Sequence, residues 1–211
     1  ARQWSLVGSE MCIRDRYKAL ERQMAQNGLL IQSNRIAALK KISSAQENST
    51  TTFPIAELSL SKTNGDLTTD EDEFVKALSE NRQLDVMAGR TLIGPHRSDM
   101  EATYKEKGIS AKDSSTGEQK AMLISIVLAN ARALKLELGY PPVILLDEIS
   151  AHLDIDRRGA LYQEINALGA QAWMTGTDKK LFSEFGCKAK YFHVIESSGI
   201  SDIKEVDFSI D

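Results

Sequence analysis

Val143-Ile144-Leu145-Leu146-Asp147-Glu148 sets four consecutive apolar residues directly before two acids. An apolar run this short, introduced by Gly139-Tyr140-Pro141-Pro142 and closed by charge, reads as a fully buried strand. A nucleotide hydrolase needs such an arrangement where a strand emerges beside the phosphates, because the strand fixes the position of the acids. Around it the pattern alternates: a helix over 118–138, the strand over 143–146, a loop over 147–154, a helix over 156–168, a strand over 171–175, a helix over 179–185 and a strand over 190–195. Strands that alternate with helices predict an α/β fold with a mainly parallel sheet covered on both faces.

The first half of the chain is less regular. Residues 17–42 favour helix, with Asn27-Gly28 dividing them into two, and residues 43–52 form a polar, turn-rich stretch. A strand over 53–60, a turn at 63–66 and a helix over 70–84 follow; the acids Asp70, Glu71, Asp72 and Glu73 suit the positive end of that helix. Two strand-like pieces flank the Gly94-Pro95 turn within 91–104, and another short strand covers 108–113. Within 17–42, five basic residues (Lys18, Arg22, Arg35, Lys40, Lys41) face one acid, Glu21, for a local charge of +4. The chain divides into residues 17–85, a helical lobe with its linking strand and helix, and residues 86–211, the core that carries the acids. Ser5 to Arg16 (SLVGSEMCIRDR) reads as translated sequencing adaptor, which sets residues 1–16 apart from both.

Composition narrows the class. The 211 residues are 42% hydrophobic and 27% charged, ordinary for a globular protein, and the net charge of −4 argues against a uniformly basic nucleic-acid coat. Two cysteines, Cys12 and Cys187, support neither a disulfide framework nor a zinc site, which fits a cytoplasmic protein. The most apolar stretch, 121–138, is interrupted by Ser125, Asn130, Arg132, Lys135 and Glu137 and falls short of the ~20 clean apolar residues of a membrane span.

Three positions carry chemistry. Asp147 would help hold Mg²⁺, largely through water since that ion keeps much of its hydration shell, and Glu148 would orient and polarise the attacking water. Two acids at a strand end also suit a plain cap of the next segment. Upstream, Ser114-Ser115-Thr116-Gly117-Glu118-Gln119-Lys120 opens a long helix, where hydroxyls, backbone N–H groups and the helix dipole favour an anion; an ordinary cap by Ser115 or Thr116 accounts for the same residues. Downstream, the loop continues as Ile149-Ser150-Ala151-His152-Leu153-Asp154.

Together the three pieces resemble the signature, Walker B and D-loop of the ATP-binding-cassette superfamily. Between Ser115 and Asp147 the interval is 32 residues, and the signature runs Ser-x-Gly-Glu-x-Lys. Both resemble the chromosome-maintenance and recombination branch rather than transporter cassettes, whose ATPase subunits are the alternative reading. Within that branch Thr91-Leu92-Ile93-Gly94-Pro95-His96-Arg97-Ser98-Asp99, Ser115 to Ala121, and Gln171-Ala172-Trp173-Met174-Thr175-Gly176-Thr177-Asp178 resemble the RecF family.

That resemblance implies the C-terminal half of an ABC-ATPase-like P-loop NTPase sheet with a helical side lobe. It implies a gap-repair protein that binds ATP, Mg²⁺ and DNA (single-stranded, gapped or duplex), forms an ATP-bridged homodimer, hydrolyses ATP slowly and works with RecO and RecR. Ser115, Thr116, Gly117 and Glu118 would then act on the partner's nucleotide, Asp154 would belong to the D-loop, and Thr177 would stand where related cassettes place a switch histidine; Thr177 also suits the cap of the next helix. His96 and Arg97 would reach phosphate or the neighbouring subunit, or Arg97 would simply pair with Asp99. Arg22, Arg35, Lys40 and Lys41 would touch DNA phosphates, or form an exposed solubilising helix. A non-hydrolysing DNA-binding module is a further alternative. No G-x-x-x-x-G-K-S/T window occurs in the sequence, so these residues alone are expected to bind ATP poorly.

Overall fold

The computed structural model describes residues 3–49, 51–61, 68–148, 153–197 and 199–207, with side chains from residue 13 onward except those of 184, 186 and 187. The chain forms two compact units, Ala1–Lys41 with Leu58–Ala102, and Ile42–Glu57 with Thr103–Asp211.

The first unit is built on helix α1 (Gln3–Glu47) and helix α2 (Glu71–Ala88). The expected break at Asn27-Gly28 does not occur. Gly28 serves packing instead, since a Cβ there would lie 2.7 Å from Phe74 Cε1. Ala25, Phe74 and Leu78 form a small core with Leu29, Val75 and Ile93. Asp70 caps α2 by accepting from the Glu73 amide at 2.9 Å, and the acidic first turn follows as expected. Across the helix pair, Arg82 donates to both oxygens of Glu21, through Nε and through Nη2 at 2.6 Å. Glu21 is nearly buried, so removing its partner alone would strand a charge at a cost of about 3 kcal/mol.

Of the two strand-like pieces expected in 91–104, only β2 (Met100–Tyr104) forms. The Leu92 amide donates to Asp85 Oδ1 at 2.9 Å instead of a ladder, and Pro95–Arg97 is a single 3-10 turn. Strand β1 (Ala56–Leu60), β2 and β3 (Ile109–Ser110) make a sheet in that order, with Thr103 opposite Ser110 and Tyr104 opposite Ile109.

In the second unit, the end of α1 overruns the polar stretch expected from residue 43. Burial outweighs local propensity here: Gln46 is 2% exposed. Its amide exchanges bonds with the Ala56 backbone at 2.8 and 3.1 Å and accepts from Ser125 Oγ at 3.2 Å. Helix α3 (Thr116–Leu138), strand β4 (Ile144–Leu146), helix α4 (Ile155–Leu168) and strand β5 (Ala172–Met174) follow the predicted order. Strands β4 and β5 pair in parallel, Ile144 with Ala172 through Leu146 with Met174. Ala121, Ile124 and Leu128 of α3 meet Ile144 and Leu146 of β4 and Leu161, Tyr162, Ile165 and Leu168 of α4 in one core.

The other face of β4 and β5 carries no such layer, with Leu145 74% and Trp173 54% exposed. Among the described residues only this pair is parallel, so the expected parallel sheet covered on both faces is corrected to a parallel pair with a core on one face and Leu145 and Trp173 left largely exposed on the other. The segment Lys179–Lys188 is 3-10 rather than α-helical. The last strand expected, now β6 (Tyr191–Ser197), turns back through Gly199 into β7 (Ile200–Val206), which the sequence reading did not anticipate. The three-residue spacing of Ile200, Ile203 and Val206 hides its strand periodicity. Among the described residues no helix is long and apolar enough to cross a membrane.

Candidate functional site

Strand β4 ends by delivering Asp147 and Glu148, both exposed, at its C-terminal edge. Glu148 has φ +50°, and no other described non-glycine residue has a positive φ. A side chain in the left-handed region costs about 1 kcal/mol, and such residues persist only where their surroundings hold them. Part of that hold is Thr175, just past β5. Its backbone N–H donates to Leu146 O at 3.0 Å, and its hydroxyl accepts from the Glu148 N–H at 2.9 Å. The same hydroxyl donates to Asp147 Oδ1 in a short hydrogen bond. The sequence pattern locates both acids but not Thr175, whose contact with them exists only once β4 and β5 pair.

At the start of α3, Ser115 is the N-cap and Glu118 completes a capping box. The Glu118 amide donates to Ser115 Oγ at 3.4 Å, while Ser115 N–H and Oγ donate to Glu118 Oε2 at 2.9 and 2.8 Å. A box of this kind contributes about 1 kcal/mol to helix stability. Lys107, in the turn between β2 and β3, pairs with Glu118 Oε1 and lies 5.2 Å from the centre of the Tyr104 ring. Lys107 first, and then the Ser115 hydroxyl and amide, hold the Glu118 carboxyl down at about 2, and Glu118 in turn raises the Lys107 ammonium. Thr116 is exposed, and a Cβ built on Gly117 would meet nothing within 4 Å. The helix start therefore offers open backbone, with its resident acid already neutralised by a lysine that no motif announced.

The other candidates are dispersed. Asp154 caps α4, accepting from the Arg157 amide at 2.8 Å, with its second oxygen 3.7 Å from Arg157 Nε. The loop residues Ile149 to His152 lie outside the described residues. Thr177 is exposed and does not cap the next turn; Asp178 does, accepting from the Lys180 amide at 2.9 Å. In the first unit, His96 Nε2 donates to Thr91 O at 2.8 Å and Arg97 is half-buried. Asp99 accepts from the adjacent Met100 amide at 2.8 Å. Arg35 is a strut, donating to Pro95 O at 2.5 Å and Ser98 Oγ at 3.0 Å, and Arg22 lies 3.8 Å from Glu71. Lys40 and Lys41 are exposed near the end of α1.

No protein-family model matches the chain. Individual proteins do. The DNA replication and repair protein RecF of Rhizobium leguminosarum bv. trifolii is 45% identical over 184 residues, 84% of this chain and 49% of that protein. RecF of Rhizobium meliloti is 44% identical over 83% of the chain and 49% of its own length. Among solved structures, the recombination mediator protein RecF with ATP, from the RecFOR pathway, superposes with a TM-score of 0.62 at 22% identity, over 89% of this chain and 50% of that one. The chain thus shares the fold of that RecF structure, and it spans about half the length of the curated relatives it matches. The identity to the two Rhizobium proteins over more than four fifths of this chain shows that it belongs to the RecF family.

Proposed function

We propose that this chain is the part of an ATP-dependent DNA repair and replication protein that contributes the acids for nucleotide hydrolysis and the signature helix for a partner's nucleotide. The observation that carries the reading is Glu148, an acid held in a left-handed conformation beside Asp147 at the end of a parallel strand. Ligands of open α/β sheets bind at the carboxyl ends of strands, and strained residues cluster at functional sites. Relatives named for DNA replication and repair, and a fold neighbour that carries ATP, support the same assignment.

In this reading Glu148 orients and deprotonates water, and Asp147 binds Mg²⁺ through that ion's waters. The residues fit the ion: Asp147 is exposed, and Mg²⁺ takes one or two carboxylates with water filling its other positions. Bound Mg²⁺ would neutralise charge on the phosphate oxygens. The phosphate-cradling loop comes from residues outside this chain. Ser115, Thr116 and Gly117 then meet the γ-phosphate of a second copy in an ATP-bridged dimer, with Glu118 kept ionised and paired by Lys107 so that it does not repel the phosphate. Asp154 and Thr177 lie on the flanking loops of the same unit. Single-stranded or gapped DNA is the proposed target, contacted by the basic part of α1 at Arg22, Lys40 and Lys41, while Arg35 braces the lobe. The pathway named for the fold neighbour supports RecO and RecR as partners.

The test is Glu148→Gln in the full-length protein that contains these residues. Steady-state ATP turnover should fall by at least 100-fold, on the order of the contribution of a general base, while ATP-driven dimerisation measured by sedimentation persists. Unchanged turnover would remove Glu148 from the chemistry.

A further inference from the structure

We infer that Thr175 is a positioning residue for hydrolysis, and that its hydroxyl, rather than Thr177, ties the two strand-end acids into one geometry. The inference rests on the function proposed for Asp147 and Glu148 and gives Thr175 a role in holding both.

A threonine hydroxyl has one proton to give and lone pairs with which to accept. Here the protein dictates how both are used. The Glu148 backbone N–H can only donate, so the hydroxyl accepts from it at 2.9 Å; the Asp147 carboxylate can only accept, so the hydroxyl's single proton points at Oδ1. One oxygen atom thereby fixes the side chain of the first acid and the backbone of the second. Thr175 is itself anchored by its amide bond to Leu146 O at 3.0 Å, which continues the β4–β5 ladder past Met174. The chain of constraint runs from the rigid parallel pair, through Thr175, to Asp147 Oδ1 and to the left-handed backbone of Glu148.

Two consequences follow. With Oδ1 occupied by the threonine proton, Asp147 presents Oδ2 as its principal face to a hydrated cation. Glu148, with φ +50° held in part by an amide bond, projects its carboxylate from a backbone that would otherwise relax to an ordinary conformation at a gain of about 1 kcal/mol. Losing the hydroxyl should therefore misplace the base and loosen the magnesium face while leaving the phosphate contacts intact. Serine preserves both bonds. Valine preserves shape and removes both.

The experiment uses the full-length protein with Thr175→Val, Thr175→Ser and Glu148→Gln side by side. Thr175→Val should lower kcat for ATP hydrolysis by 10-fold or more with KM for ATP changed less than threefold, and should raise the Mg²⁺ concentration needed for half-maximal turnover. Thr175→Ser should recover at least a third of the wild-type kcat. Independently of turnover, hydrogen exchange at the Glu148 amide without nucleotide should quicken in Thr175→Val and remain slow in Thr175→Ser. If Glu148→Gln abolishes turnover while Thr175→Val leaves kcat, Mg²⁺ dependence and amide exchange unchanged, the positioning role is overturned and the function stands. If Glu148→Gln itself leaves turnover intact, the function proposed for the acids fails instead. Equal losses in Thr175→Val and Thr175→Ser, or faster exchange spread over the whole core, would show a packing role only and also overturn the inference.

Discussion

Glu118 is ionised far below the ordinary carboxyl range because its charged form is bound by Lys107 first, and by the hydroxyl and amide of Ser115. The folded value, about 2, lies below the 4.5 of an unperturbed glutamate. The native state therefore binds fewer protons at Glu118 than the unfolded chain, and the resulting stability is fully present above the unfolded value and lost as pH falls through the folded one. The window is thus between pH 4.5 and about 2. A ¹³C titration of the Glu118 carboxyl should give a midpoint near the lower end of that window, and Lys107→Met should move it upward. The shift will be partial, since the Ser115 bonds at 2.8 and 2.9 Å remain. A midpoint indifferent to Lys107→Met would mean that the capping box alone sets the value and that Lys107 does not neutralise Glu118.

Helices repeat the lesson on a larger scale, because the same residue type has opposite consequences in two of them. Gly28 lies inside α1 and Gly159 inside α4. An exposed helix interior prefers alanine to glycine by about 1 kcal/mol, and at Gly159 nothing lies within 4 Å of an added Cβ. At Gly28 the added carbon would sit 2.7 Å from the ring of Phe74, which is itself buried. Overpacking of that kind costs about 1–3 kcal/mol. Gly159→Ala should raise the urea midpoint and Gly28→Ala should lower it; two shifts of the same sign would show that helix propensity, rather than the approach of α2, governs Gly28. This is also where the sequence misleads. Asn27-Gly28 carries a local turn signal, and only the position of Phe74, 46 residues on (74 − 28), turns that signal into a packing contact. Local cues did locate the acidic start of α2, a cap at Ser115 or Thr116, the order of α3, β4, α4 and β5, and the acids at the strand end, because each depends on near neighbours or on a continuous apolar run. Lys107, Thr175 and strand β7 were invisible for the converse reason. The first two act through tertiary contacts, and the third carries apolar residues at a three-residue spacing.

On the scale of the second unit, the parallel pair has a core on one side and apolar residues without cover on the other. Leu145 and Trp173 are cross-strand partners, Trp173 stacks on Phe192 at 6.2 Å, and Val194 stands opposite Ile203 in the next hairpin. All five are exposed. An apolar patch that runs across four strands is disfavoured in water by roughly 25 cal/mol per Å², and folded domains seldom leave one bare. The matched part covers 49% of the first relative's length, which supports the proposal that further residues of the full-length protein cover the face. Produced alone, the 211-residue chain should bind 8-anilinonaphthalene-1-sulfonate and sediment as concentration-dependent oligomers, whereas the full-length protein should do neither without nucleotide. Leu145→Lys with Trp173→Lys should suppress both signals in the short chain while its far-UV circular dichroism stays unchanged, since neither side chain belongs to the buried core. In the full-length protein the same pair should destabilise by several kcal/mol, because two charges would then be buried without partners. A short chain that remains monomeric and dye-free, or a full-length protein indifferent to the two lysines, would mean that this face is solvated in the native molecule and that the parallel pair needs no second layer.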